Sequence, residues 1–240
     1  SSRLFLPIVI CFLFFLAYSL LGIIRHNHFL SGYDLAIIDQ VIWKYSVFKA
    51  PISTNHAFAF ASILTDHIEL IFLLIAPLYW IIHDVRLLIV LQAFAITSSG
   101  LAVFLLCRKK QLRLFVSFAI LISYLMFYGI QNALWADVHS LVFGVSFLAW
   151  FLYFLETKQT KLTWLFFLLT IFSKEDMALL TFLISAMYFI QQRKKYFFGF
   201  MLVSLSYLFI IFYIYFPYFV PGGYRFQDKN GLLTHTEISH

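Results

Sequence analysis

Residues 65–84, TDHIELIFLLIAPLYWIIHD, decide how the rest of the chain is threaded. Their apolar part, residues 68–82, is only 15 residues long, carries Pro77 inside it, and is bracketed by Asp66, His67 and Glu69 before and by His83 and Asp84 after. A bilayer crossing takes roughly 20 apolar residues, and runs of the shorter length are usually re-entrant or interfacial. Elsewhere, long apolar runs cover about 4–24, 86–107, 114–132 and 196–219, each near the length of a crossing. Shorter ones cover about 141–155, 162–173 and 177–190, and the polar knot Ser173, Lys174, Glu175, Asp176 separates the last two.

Charge settles whether the short run crosses. If it lies on the outer surface and the other seven cross, most of the 17 Lys and Arg, in the loops 108–113, 156–161 and 191–195, share the side of the N-terminus with a single acid, Glu156. The other side takes the remaining acids and all 8 His. Counting the run as a crossing would scatter the basic loops over both faces and break the positive-inside bias. The sequence therefore predicts an all-α, polytopic protein of the cytoplasmic membrane with about seven spans, the N-terminus inside and the C-terminus outside. A first outer loop, residues 25–85, carries amphipathic surface helices.

Composition agrees. Of 240 residues, 62% are hydrophobic and 12% charged, against roughly 45–50% and about 25% in soluble domains. The net charge of +6 follows from membrane orientation, and no basic groove with interleaved aromatics suggests nucleic acid. Cys11 and Cys107 fall inside apolar runs, where they read as buried thiols. The first run is long for a signal peptide, and no convincing small-residue cleavage site follows it. The chain reads as one membrane module over 1–240, and a start at Ser1, Ser2 without methionine is compatible with a piece of a larger protein.

Four polar clusters lie at the outer ends of the spans. Ionisable residues at membrane depth are costly and usually line a cavity or pair with one another. In GYDLAIIDQVIW, residues 32–43, the spacing of Leu35, Ile38, Ile42 and Tyr45 predicts an amphipathic surface helix. There Ser31 and Asp34 would form a capping box. Asp34 and Asp39 would lie about 140° apart on such a helix, too far round to act as a close carboxylate pair. In TDHIEL, residues 65–70, Asp66 would be an N-cap and Glu69 would sit at the third helical position, which leaves His67 without a structural reason. Arg86 opens the next span and could snorkel to lipid headgroups or meet a substrate. WADVHS, residues 135–140, brings Asp137 and His139, whose spacing is poor for a metal pair on a helix. FSKEDMALL, residues 172–180, brings Lys174, Glu175 and Asp176 into an apolar stretch, where either a self-neutralising turn or a functional cluster is possible.

These stretches, with DHIELIFLLIAPLY and ADVHSLVFGVSFLAW, resemble a family of bacterial and archaeal membrane proteins catalogued as domain of unknown function 2079, over about residues 28–185. That family is in turn similar to the GT-C superfamily of integral-membrane glycosyltransferases. The resemblance implies seven spans, a long first outer loop with a catalytic acid, and a polyprenyl-phosphate sugar donor. GT-C members often carry an adjacent acidic pair in that loop, whereas here Leu35 follows Asp34. Where their next helix opens with His or Lys and two prolines, His67 is followed by Ile68. A lysine at the outer end of a later span does match Lys174.

On this resemblance the chain transfers a sugar from a lipid-linked donor to an acceptor at the outer membrane face. Asp34, or else Asp39, is the base, and Lys174 faces the departing phosphate, with Arg86, Arg225 and His67 behind it. Asp137, His139, Glu69, Glu175 and Asp176 belong to substrate binding. Membrane lipids and an acceptor are the expected partners, and a divalent ion is left open. The rival readings are a transporter or flippase, another lipid-modifying enzyme, and a scaffold.

Overall fold

The computed structural model describes residues 2–54 and 62–220, all helix, turn and extended connection, with one isolated antiparallel bridge, Ile52 to Ser62, and no strand among them. The first helix, α1 (Ser2–Asn27), keeps its Pro7 near the start. After it comes α2 (Tyr33–Ser46), which buries Leu35, Ile38 and Ile42 as their spacing predicts. The connection 62–70 leads through a single 3-10 turn (Ile63–Thr65) to α3 (Ile71–Ile75), which tightens into a second 3-10 turn (Ala76–Trp80) with Pro77 at its beginning. At about 1.5 Å per α-helical and 2.0 Å per 3-10 residue, those ten residues reach little more than half of a roughly 30 Å hydrocarbon core. With Ser140–Glu156 and Thr160–Ile171, the segment is one of the shorter apolar helical stretches among the described residues.

Then follow α4 (Arg86–Lys109), α5 (Leu114–Leu125), α6 (Tyr128–Trp135), α7 (Ser140–Glu156), α8 (Thr160–Ile171), α9 (Glu175–Gln192), α10 (Lys195–Phe209) and, after the π-helical turn Ile210–Tyr215, α11 (Phe216–Phe219). Among the described residues four stretches are long and apolar enough to cross a membrane: Leu4–Asn27, Arg86–Lys109, Leu114–Trp135 and Lys195–Phe219. They coincide with the four long runs of the sequence. The third is interrupted, because Phe127 leaves helical backbone between α5 and α6. The Tyr18 hydroxyl donates to the Leu125 carbonyl at that break, supplying one partner that a continuous helix would have provided.

The core is built around α4, which touches α1, α5, α6 and α7. Its window is 56% buried against 17% for that of α1, so α4 is central and α1 faces outward with Phe5, Phe12 and Leu13 exposed. Lipid tails are as apolar as Leu, so close approach and dispersion hold such helices together. Small residues make the approach possible: a Cβ on Gly100 would stand 2.9 Å from Leu125 Cδ2. Beyond α7 the packing is aromatic, with Phe151, Trp164 and Phe167 all ringed around Phe200 at centroid distances of 4.4–5.5 Å.

The bundle has two chemically distinct ends. At the basic end, Lys110 pairs with Glu156 at 2.7 Å and Tyr188 donates to the same carboxylate at 2.9 Å, tying together the ends of α4, α7 and α9. The turns there are short, and each carries one left-handed residue, Gln111, Lys158 or Arg193. At the acidic end the C-terminus of α1, the segment 62–86, the N-termini of α7 and α9 and the C-terminus of α8 meet. Cys11 and Cys107 are both buried free thiols.

Candidate functional site

Most of the residues singled out from the sequence gather at the acidic end, in separate groups. The first group is built on Asp137, in the extended link between α6 and α7. It is 9% exposed and accepts from the backbone N–H groups of Gly32 (2.7 Å) and Asp34 (3.0 Å). Those are donors that the first turn of α2 leaves without an intrahelical partner. The N-cap of α2 is Gly32, with no side-chain cap of its own, so the expected Ser31–Asp34 capping box gives way to a carboxylate brought in from a distant link. A Cβ at position 32 would lie 2.4 Å from Asp137 Oδ2, which is why this position takes glycine.

Arg25, on the last turn of α1, completes this corner. Its Nη1 donates to the Ala136 carbonyl at 3.1 Å and stands 4.0 Å from Asp137 Oδ1, with the guanidinium 5.4 Å above the Trp135 ring. Both Asp137 oxygens are occupied by backbone donors, so Arg25 keeps donor capacity beyond these contacts. A cavity of about 410 Å³ lies between α1 and α6, lined by Arg25, Gln131, Asn132, Tyr18, Tyr128 and Trp135 among others. The Asp34 carboxylate is exposed and has no hydrogen bond or ion pair among the described residues.

A second group is buried between the 62–70 connection and the start of α9. His67 Nδ1 lies 2.6 Å from Glu175 Oε1, and the Ile68 N–H donates to Glu175 Oε2 at 3.2 Å. Glu175 is 1% exposed. Glu69 accepts from the Ser140 hydroxyl, and burial pushes its carboxyl above the ordinary range, opposed by Ser140, His67 and Lys174. The connection has no regular structure at Glu69, and α3 begins only at Ile71, whose N–H donates to the Phe172 carbonyl. The expected helix start at Asp66 with Glu69 in its first turn is therefore corrected: Asp66 closes the 3-10 turn Ile63–Thr65. The carboxylate of Glu69 bonds α7, and that of Glu175 bonds the 62–70 connection in addition to its own backbone N–H.

The remaining candidates stand apart from both groups. Asp39 accepts from the Tyr79 hydroxyl at 2.6 Å and thereby pins α2 to the 3-10 turn after α3. Arg86 binds Asp84 at 2.8 Å and the Asn27 side chain through Nε and Nη2, joining the end of α1 to the start of α4. The Asp84 carboxyl is held below its ordinary value first by the Arg86 backbone N–H, against a smaller opposing effect of burial. His139 is the N-cap of α7, and its backbone N–H donates to Gln92 at 2.9 Å. Lys174 is the N-cap of α9, close enough to Glu69 to favour its ionised form, and Asp176 is exposed. Arg225 lies outside the described residues.

Arg25 and Ser140 went unnoticed in the sequence. Arg25 had a signal, since it is a cation on the acid-rich side at the end of a span, against the charge bias. Ser140 had none, because a lone serine before an apolar helix reads as a cap. Among the described residues no three His, Cys, Asp or Glu side chains gather into a possible metal site.

A family model described as "Predicted membrane protein (DUF2079)" matches residues 25–230. The chain belongs to this family. The match takes in both groups at the acidic end and reaches past the 28–185 stretch that the sequence motifs outline. No curated protein and no solved structure matches the chain.

Proposed function

We propose that the protein is a membrane glycosyltransferase that moves a sugar from a polyprenyl-phosphate donor to an acceptor at the outer face of the cytoplasmic membrane. In this reading α1, α4, α5 with α6, α7, α8, α9 and α10 are the seven spans, the N-terminus is inside, and the acidic end faces out. The observation that carries it is the corner between α1 and α6: a cavity of about 410 Å³ with a cation, two amides and aromatic rings in its lining, whose Arg25 stands 4.0 Å from the Asp137 carboxylate that holds the Asp34 backbone N–H. Amides and hydroxyls pair with sugar hydroxyls, aromatic faces take apolar ring surfaces, and an arginine suits a phosphate. An apolar crevice of about 480 Å³ between α3, α4, α7 and α8, with Leu74, Phe94 and Trp150 in its lining, would take part of an isoprenoid tail.

The chemistry is one displacement. The acceptor oxygen attacks the anomeric carbon while the bond from that carbon to the phosphate oxygen breaks. Asp34 takes the acceptor's proton, for which it must come within hydrogen-bond reach of that hydroxyl. The polyprenyl phosphate leaves with the bonding electrons, and Arg25 stabilises the charge that develops on it. The anomeric configuration is inverted. Asp137 positions the base by fixing the first turn of α2, and Lys174 belongs with His67, Glu69 and Glu175 to the second polar group at the same end. No step is routed through a metal ion.

The test is purified protein in lipid nanodiscs with labelled polyprenyl-monophosphate sugars. Loss of sugar from the lipid is expected, with a fall of at least about 100-fold in Asp34→Asn, the usual scale of a general base. Movement of intact donor across the bilayer without bond cleavage overturns the transferase in favour of a transporter. Full activity in Asp34→Asn overturns the base.

A further inference from the structure

The basic end carries a cavity of its own, about 410 Å³, in which Lys158, Thr160, Lys194 and Tyr196 are joined by the apolar Trp164 and Phe200. Its polar residues come from two turns, the one between α7 and α8 and the one between α9 and α10. The helices that start there, α8 (12 residues) and α10 (15 residues), have N-caps Gln159 and Lys194, neither of which gives a side-chain cap hydrogen bond. The Phe197 N–H already donates to the Lys194 carbonyl at 3.2 Å, but the first-turn N–H groups of Thr160 and Tyr196, both residues of the lining, have no intrahelical partner, and the positive end of each helix dipole lies at a turn that lines the cavity. No acid is in the lining. The nearest acidic group on these turns, Glu156, is neutralised by Lys110 and bonded by Tyr188. The rest of the lining includes an apolar aromatic pair, with Phe200 2% exposed and Trp164 tilted against it at a centroid distance of 4.4 Å.

We infer that this cavity is a binding site for the phosphate of an anionic amphiphile. Lys158 and Lys194 meet the phosphate charge, the helix N-termini and Thr160 donate to its oxygens, and Trp164 and Phe200 take the apolar glycerol and first methylenes. A basic pocket between membrane helices, set at the headgroup level, suits an anionic lipid for these reasons. The site is separate from the acidic-end corner, so it holds whether or not the protein transfers sugars. It would make the protein's stability depend on the acidic lipid content of the surrounding membrane.

The experiment is native mass spectrometry of the purified protein in a neutral detergent, with phosphatidylglycerol, phosphatidylcholine and inorganic phosphate offered separately. Phosphatidylglycerol is expected to be retained, with phosphatidylcholine retained about tenfold less or not at all. Displacement of the lipid by millimolar inorganic phosphate assigns recognition to the phosphate group alone, and its failure to compete assigns it to the whole headgroup; both support the site. The double variant Lys158→Ala/Lys194→Ala should lose on the order of tenfold in retention, and Lys158→Arg/Lys194→Arg should restore it. Lys109→Ala, which removes a charge at the same end but outside the cavity, should change little. Equal retention of both lipids, or retention unchanged in the double alanine variant, overturns the inference. So does an equal loss in Lys109→Ala, which would reduce the effect to net charge.

Discussion

At the scale of single residues, the acidic end is held by carboxylates that serve elements far from them in sequence. Asp137 and Gly32 are 105 positions apart, yet the missing Cβ of one is what admits the oxygen of the other. Gly32→Ala should therefore cost about 1–3 kcal/mol, because the cap must move out of hydrogen-bond range. Asp137→Ala should cost a similar amount, and thermal unfolding in detergent would read both. Additivity of the two losses would deny that they share one interaction. Glu69 titrates with the opposite sign from a paired acid. Its folded pKa lies above the ordinary 4.5, so the folded state holds a proton that the unfolded state releases. Stability is then full below that ordinary value and falls as pH rises through the window up to the raised one. Glu69→Gln keeps an acceptor for Ser140 and should flatten this fall, which melting temperatures from pH 4 to 8 would show. Asp137, Glu69 and Glu175 were all conspicuous in the sequence as ionisable groups in apolar company. Their pairings were not, since no local pattern marks a hydrogen bond across 71 to 108 residues.

At the scale of elements, length and periodicity carried most of the information. The four long runs became the four long apolar stretches, and the spacing of Leu35, Ile38 and Ile42 became the buried face of α2. The break at Phe127 left no trace, because apolar side chains continue through it and the lost backbone bond is met by Tyr18 from another helix. The three turns at the basic end show why glycine content is a poor guide here: Gln111, Lys158 and Arg193 take left-handed backbone themselves, at a cost of about 1–2 kcal/mol each. An inward-facing basic end would favour the cations Lys158 and Arg193 in two of these turns, whereas Gln111 is neutral. The short segment Ile71–Trp80 gives a sharp test. Single cysteines at Lys49 and His83, one before it and one after, should react with a membrane-impermeant thiol reagent from the same side of the membrane. Labelling from opposite sides would mean that the segment crosses after all.

Over the whole molecule, the packing centres on α4, so substitutions should matter by their distance from that helix. Gly100→Leu pushes into Leu125 and Leu121 and should destabilise by about 1–3 kcal/mol. Gly199→Ala meets only Trp164 at an ordinary 3.8 Å and should be neutral or slightly stabilising in the same unfolding assay. The arrangement of the two ends, by contrast, came from counting charges, which needs no packing information. One contact between distant parts of the chain has a consequence for how the protein is made. His67 and Ile68 depend on Glu175, and His67 precedes it by 108 residues. A ribosome adding roughly 5–20 residues per second takes on the order of 5–20 s to reach that glutamate. Throughout that interval the Glu175 latch is missing, although Tyr79 already has Asp39 within reach, and it is then that a chaperone or a competing membrane surface would find the 62–70 connection most open.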